Sequence, residues 1–304
     1  MDALLLAHHG SPRNPPRPAR GRRRPQRDRR LGRADPGRGG GGVSSRWGRR
    51  FREYAPAILV FVSVIGLLEG IAAVSGLQQF ILPRPSAVVS AFGEELPRLQ
   101  RSSVNTLYEA IGGLVIGVTA GTITAFAIAR WARVREAVLP IAVGASAIPI
   151  IAAAPIMSNW FGILNPFAKM AIVILLTFFP MVVNVARGLS QVDESAVELM
   201  RASAASEGQV LRKLRIPNAL PYFFTGLKIS TTLSLIGAVV AEYFGGSDDV
   251  LGRVILQSSS ALRFDITWAA ISITAVSGIL LYLLALGVER LVIPWHASQR
   301  VGET

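Results

Sequence analysis

Apolar positions along this chain gather into long, nearly unbroken runs instead of the alternating or stripe-like patterns of soluble elements. Six such runs occupy 57–77, 106–129, 137–160, 167–186, 220–244 and 266–288. Each is close to the ~20 residues that carry an α-helix across the hydrocarbon core of a bilayer. The pattern predicts an all-α integral membrane protein with six transmembrane helices. The third run contains Pro140, Pro149 and Pro155 and is expected to be kinked or locally unwound. A bilayer tolerates such breaks only where protein or a water-filled cavity satisfies the freed backbone groups.

One polar segment, Glu198 to Pro221, carries its own helix signals. Asp193-Glu194 places acids where a helix N-terminus favours them, so a first helix is expected from there to about Ala202. A tight turn follows at Ser203–Ala205. Ser206 restarts the pattern with Gln209 three residues on, a capping box, and Pro217 is expected to close the second helix. Val197 and Met200 share one face of the first helix; Val210, Leu211 and Leu214 share one face of the second. The result is an ordered elbow over 193–217, between two spans, suited to press into a partner. On the other side, Leu82-Pro83-Arg84-Pro85-Ser86 reads as a rigid extended lead-in, with Ser86 capping a short helix through Leu96. Leu251 to Leu262 is amphipathic enough to lie at the interface.

Composition supports the membrane reading: 51% of the 304 residues are hydrophobic and only 17% are charged. The net charge of +13 is badly distributed, because residues 1–56 hold 15 Arg against 4 acids. The Arg/Pro/Gly-rich stretch 1–50 cannot bury a core and is expected to be a disordered tail. It is either native or the product of an overlong gene start, with the true start near Val43. Taken with the N-terminus inside, cytoplasmic segments hold 25 Lys and Arg against 5 or 6 outside. Both termini, the elbow and a short tail at 297–304 are therefore expected in the cytoplasm of a multi-pass plasma-membrane protein. There is no Cys, hence no disulfide framework or cysteine metal site. His8, His9 and His296 lack carboxylate or Cys company at ligand spacing.

Four local patterns resemble the permease subunits of type I ABC importers, with the MetI-like transmembrane fold. The likeness is to the nitrate/sulfonate/taurine-type branch, which also includes permeases for thiamine-precursor pyrimidines and riboflavin. The elbow resembles the family's EAA loop, with Glu198 at the acidic position and Arg212-Lys213-Leu214-Arg215-Ile216-Pro217-Asn218-Ala219-Leu220-Pro221 similar to its closing segment. Ile148-Pro149 to Pro155, then Asn159-Trp160-Phe161-Gly162, resembles the family's proline-rich third span. Ala241-Glu242, Gly245-Gly246 and Leu251-Gly252 resemble its Ala-Glu…Gly-Leu-Gly pattern, and Leu82 to Ser86 its outer Leu-Pro-x-Pro-Ser. In order, these cover roughly 57–296, within a permease domain at 51–296. Two departures stand out: Ala204 replaces the usual elbow glycine, and Leu199-Met200 replace the two alanines of the motif.

The resemblance implies a homodimer, two ATP-binding cassette subunits beneath it, and an external binding protein that delivers a small solute. Sulfonate- or nitrate-like anions and pyrimidine or vitamin-precursor types both fit. The coupling elbow would include Glu198, Arg201, Ala204, Ser206, Glu207, Arg212 and Pro217. No Walker-type G-x-x-x-x-G-K-[ST] occurs in the sequence, so ATP and Mg would be used by the partner ATPase, and the chain itself needs no cofactor, metal or catalytic residue. Other readings are a stand-alone secondary carrier or channel, a membrane-embedded enzyme, and a nucleic-acid binder resting on the basic tail alone. No nucleic acid is expected as a partner. The broken spans of carriers usually come in repeat-related pairs, which this pattern lacks.

Polar residues inside the runs are the candidates for a translocation pathway: Glu69, Asn159, Asn184, Lys228 and Glu242. An intramembrane carboxylate normally faces the bundle interior or a cavity, so Glu69 reads as a pathway group or a structural acid. Glu242 reads equally as a gate, a loop-ordering contact or a solute contact. Lys228 either attracts an anion or pairs with an acid such as Glu69. Intramembrane Asn more commonly bonds between helices, and Lys169 is expected to snorkel outward. Gly112, Gly113, Gly117 and Gly121 form a stripe suited to close helix packing.

Overall fold

A computed structural model describes residues 44–75, 83–145 and 149–294, and every regular element in them is helical. In chain order these are α1 (Ser44–Val74), α2 (Pro85–Glu94), α3 (Leu96–Ala129), α4 (Ala132–Ala145), α5 (Ile150–Phe161), α6 (Pro166–Ser190), α7 (Glu194–Ala202), α8 (Glu207–Val210), α9 (Ile216–Tyr243), α10 (Leu251–Ser260) and α11 (Phe264–Val292). The expectations for 1–43 and 297–304, and for Leu82 and Ile148, fall outside the described residues. Residues 44–50, grouped with the tail on composition, are helical and open α1. Arginine is a good helix former once an apolar helix follows it. Contacts separate residues 1–58 from a unit that begins at Leu59, and the packing and sites below belong to the second unit.

Five described stretches are long and apolar enough to cross a membrane: Ala55–Val74, Leu96–Ala129, Pro166–Ser190, Glu207–Tyr243 and Phe264–Val292. The third run is not one continuous helix. It is divided into α4, of 14 residues, and α5, of 12, each shorter than the ~20 residues a crossing helix needs. Pro149 sits at the N-cap of α5 with extended backbone (φ −66°, ψ 102°). Proline restricts the residue before it and donates no N–H, so the helix restarts there. Pro140 and Pro155 lie inside α4 and α5.

The core is a layer in which α6 lies between α3 and α9. Along α3 the glycine stripe lets the two backbones approach: a Cβ on Gly113 would lie 2.8 Å from the Met170 carbonyl oxygen, and one on Gly121 would lie 2.7 Å from that of Phe178. Toward the elbow, Met181, Val182, Val185 and Leu189 of α6 are buried with Ala125 and Ile128 of α3 and Ala219 of α9. At the end away from the elbow, α10 packs Leu251, Val254 and Ile255 against Ile266, Ala269 and Ala270 of α11 and Leu99 of α3. By contrast, Leu59, Phe61 and Leu67 of α1 and Ile279, Leu283 and Leu284 of α11 are exposed. Such apolar surface belongs against lipid or another chain.

Candidate functional site

The elbow forms because each of its backbone ends finds a local partner. Asp193 caps α7 by accepting the Ser195 N–H at 3.0 Å. Ser206 and Gln209 form the expected capping box, with the Ser206 N–H donating to Gln209 Oε1 at 2.8 Å and the Gln209 N–H to Ser206 Oγ at 3.4 Å. Arg201 bridges the turn to Glu207 at 3.0 Å. Helix α7 buries none of its residues; Leu199 is 70% exposed, and Glu198 and Arg212 are also exposed. Only Ala196, Val197 and Met200 are half-buried, so most of this ordered helix is free to meet another chain.

Ala204, the residue that departs from the family pattern, has φ +56°. The turn therefore keeps the left-handed geometry that glycine adopts freely and alanine resists. Ala204→Gly should stabilise the elbow by about 0.5–1 kcal/mol. Hydrogen exchange at the amides of residues 203–206 should slow by roughly two- to fivefold; unchanged or faster exchange would show that the turn carries no strain.

Pro217 does not close the second helix. The wide π turn Leu211–Arg215 precedes it, with the Ile216 N–H donating to the Leu211 carbonyl, and Pro217 sits in the first turn of α9, where its missing N–H costs little. The helix thus runs on from Glu207 to Tyr243. Asn218 fastens this junction to α6 by donating to the carbonyls of Gly188 (2.8 Å) and Gln191 (2.9 Å). Beside the elbow, a cavity of about 410 Å³ is lined by Glu194, Glu198, Arg130, Arg135, Arg201 and Arg215 among others. This joins the elbow to the ends of α3, α4 and α6.

The five candidate pathway residues do not converge. Glu69 accepts from the Ser86 N–H (3.0 Å) and Oγ (2.7 Å). Ser86 is thus a donor to α1 and not the cap of α2, which starts at Pro85 with Arg84 in the cap position and ends at Glu94. A carboxylate suits the N-terminus of a helix, so Glu69 acts as the cap supplied from another element. Lys228 pairs with Glu289 of α11 at 2.7 Å, not with Glu69. Asn184 donates to the Pro180 carbonyl of its own helix at 2.8 Å, and Asn159 is exposed near the end of α5.

Glu242 belongs to a buried polar cluster that the sequence pattern only partly exposes. Its Oε2 accepts the Gly252 N–H at 2.6 Å, and Thr106 Oγ1 accepts the Leu251 N–H at 2.9 Å. Together they hold the N-terminus of α10. A Cβ on Gly252 would lie 2.7 Å from the Val239 carbonyl, which accounts for the Glu and Gly of the Ala-Glu…Gly-Leu-Gly pattern. Lys169 is 1% exposed and donates to the carbonyls of Ile163 and Asn165. It does not snorkel, because those carbonyls in the α5–α6 loop meet it inside. Glu109 of α3, 4% exposed, completes the cluster, its carboxyl within hydrogen-bonding reach of Glu242 and both near Lys169. An acid four residues into a predicted span reads as interfacial; α3 in fact begins ten residues earlier, at Leu96, and carries it inside.

The family profile described as binding-protein-dependent transport system inner membrane component matches residues 114–294, from mid-α3 to the end of α11. The chain belongs to this family. The permease is 32% identical over 249 residues to the formylaminopyrimidine transport permease protein of Halalkalibacterium halodurans, covering 79% of this chain and 96% of that one. It is 30% identical over 248 residues to the riboflavin transport system permease protein of Chloroflexus aurantiacus, covering 80% and 92%. A taurine transport system permease protein of Escherichia coli is 29% identical over 151 residues, half of this chain and 54% of the relative. The permease is thus the multi-pass transmembrane component of an ABC importer, a transport component and not the ATPase, and the stand-alone carrier or channel is set aside.

Proposed function

We propose that two copies of this permease form the membrane part of a vitamin-precursor importer, with both termini and the α7–α8 elbow in the cytoplasm. The elbow, the counterpart of the EAA loop, seats in ATP-binding cassette subunits, which use ATP and Mg, and an external binding protein hands over the solute. The observation that carries this is α7 itself: a capped, ordered helix between two spans with no fully buried residue and most of its surface exposed. The residues at work there are Glu198, Arg201, Ala204, Ser206, Glu207, Arg212 and Pro217. The exposed apolar faces of α1 and α11 leave room for a second copy as well as for lipid.

The solute is read as a neutral heterocycle before an oxyanion. Both described lysines inside the spans are engaged, Lys228 by Glu289 and Lys169 by backbone carbonyls. Two relatives at 30% identity or above are named for a formylaminopyrimidine and for riboflavin.

Purification of the tagged chain with its neighbouring gene products tests the reading. A Walker-containing ATPase should come down with it in stoichiometric amount. Glu198→Arg and Glu207→Lys should each lower that yield while leaving membrane insertion intact. A permease that purifies alone, or variants that retain the ATPase fully, would refute the elbow assignment.

A further inference from the structure

The cluster at the end opposite the elbow has a charge problem that its geometry resolves in one way. Glu109 and Glu242 are 4% and 0% exposed, and Lys169 is 1% exposed. Two carboxylates against one ammonium leave a net negative charge in a low-dielectric interior, where an uncompensated charge is expensive. Two of the oxygens, Glu109 Oε2 and Glu242 Oε1, are buried without a hydrogen-bond partner, although the carboxyls are within reach of each other. Two ionised carboxyls that close repel, because each offers only acceptors. One proton between them converts the repulsion into an O–H···O bond and brings the cluster to neutrality.

We propose that Glu109 and Glu242 form an internal proton-binding site in which Glu109 holds one proton and donates it to Glu242. The assignment of the proton follows from the other contacts. Glu242 Oε2 receives the Gly252 N–H at the start of α10, where the helix end favours negative charge, so Glu242 is the ionised partner. Glu109 has no such donor among the described residues. On the neighbouring elements, Arg253 of α10 lies 3.6 Å from Asp248 with its Nε buried and unpartnered, Arg98 of α3 donates to Gln257, and Arg263 pairs with Asp265 at the start of α11. Lys169 alone acts on both carboxyls. The bound proton thereby ties α3, α6, α9 and the N-terminus of α10 together, whichever solute the permease carries.

The site predicts a specific pH dependence. The folded chain keeps a proton that an unfolded glutamate releases above about pH 4.3, so the folded state binds more protons and stability falls as pH rises. Between about pH 5 and the pH at which the site empties, the folding equilibrium should lose about tenfold per pH unit from this proton alone. Glu109→Gln replaces the O–H donor with an amide donor, keeps the cluster neutral, and should fold while losing that one-proton slope. Glu242→Gln should also remain folded. The double Gln variant leaves Lys169 without a carboxylate and should be far less stable than the two single variants combined predict.

The experiment is thermal unfolding of the full chain in lipid nanodiscs across pH, with infrared spectra of the folded state. The wild type should show a protonated-carboxyl C=O band at neutral pH that Glu109→Gln removes. Absence of that band overturns the proposal even if the variants fail to fold. So does an equal pH slope in wild type and Glu109→Gln. Stabilisation of the wild type by sodium, lost in Glu109→Gln, would also overturn it by placing a metal cation between the carboxyls.

Discussion

Gly121→Val should prevent α3 from seating on α6 and deprive the permease of its central helix pair. The Cβ would stand 2.7 Å from the Phe178 carbonyl oxygen and 2.8 Å from Met181 Cβ. A backbone carbonyl within a helix cannot rotate aside as a side-chain tip can, so the helices must separate along their length. Forcing bulk into a packed contact typically costs about 1–3 kcal/mol where side chains yield, and at least about 3 kcal/mol is expected here. Gly287→Val is the control, because a Cβ there meets nothing within 4 Å. Thermal stability in detergent should fall sharply for Gly121→Val and stay near wild type for Gly287→Val. Equal stabilities would mean that α3 and α6 do not meet at Gly121.

Glu289→Leu should be the most damaging change to a charged residue of the bundle. Glu289 Oε2 lies 2.7 Å from Lys228 Nζ, with side-chain exposures of 9% and 21%. Removing Glu289 leaves the half-buried Lys228 ammonium without its acid, which costs up to about 3 kcal/mol. Removing both is different. Lys228→Leu/Glu289→Leu replaces the pair with apolar groups and should recover most of the loss, because a buried ion pair and its hydrophobic substitute are often nearly equal in stability. A double-mutant cycle on unfolding in nanodiscs reads the coupling directly. Additive losses would show that the two residues are independent, returning Lys228 to the list of groups free to meet an anion.

What could be read in the sequence was whatever depends on nearby residues. The spans follow from run length, and the elbow helices from Asp193, Ser206 and Gln209, whose partners are two or three residues away. The glycine stripe of α3 was legible for the same reason: its spacing alone puts it on one face. The failures concern distant partners. Lys228 finds Glu289 61 residues away, and Glu69 finds Ser86 at a separation of 17; no periodicity announces either pair. Lys169 is the exception, its partners Ile163 and Asn165 being six and four residues away, but they lie in a loop whose fold the pattern does not reveal. Pro217 reads as a stop in the sequence, because the π turn that accommodates it has no simple residue signature. The break at Pro149 is local chemistry too: the prolines of the run imply a kink or local unwinding, and the helix restarts after an extended Pro149.

The unbroken run through the π turn has a mechanical meaning. At ~1.5 Å per residue, the 28 residues of α9 make a rod of about 42 Å. Such a rod tilted by about 10° moves one end about 7 Å relative to the other. Its near end is welded to the elbow, and its far end is clamped by the Glu242 contact to α10. A hinge at Pro217 would let the elbow swivel without disturbing the bundle. The helix runs on past Pro217, but Pro221 inside it and the π turn before it confine any bend to the elbow end. Beyond Pro221 the rod carries a displacement toward the end that holds Glu242.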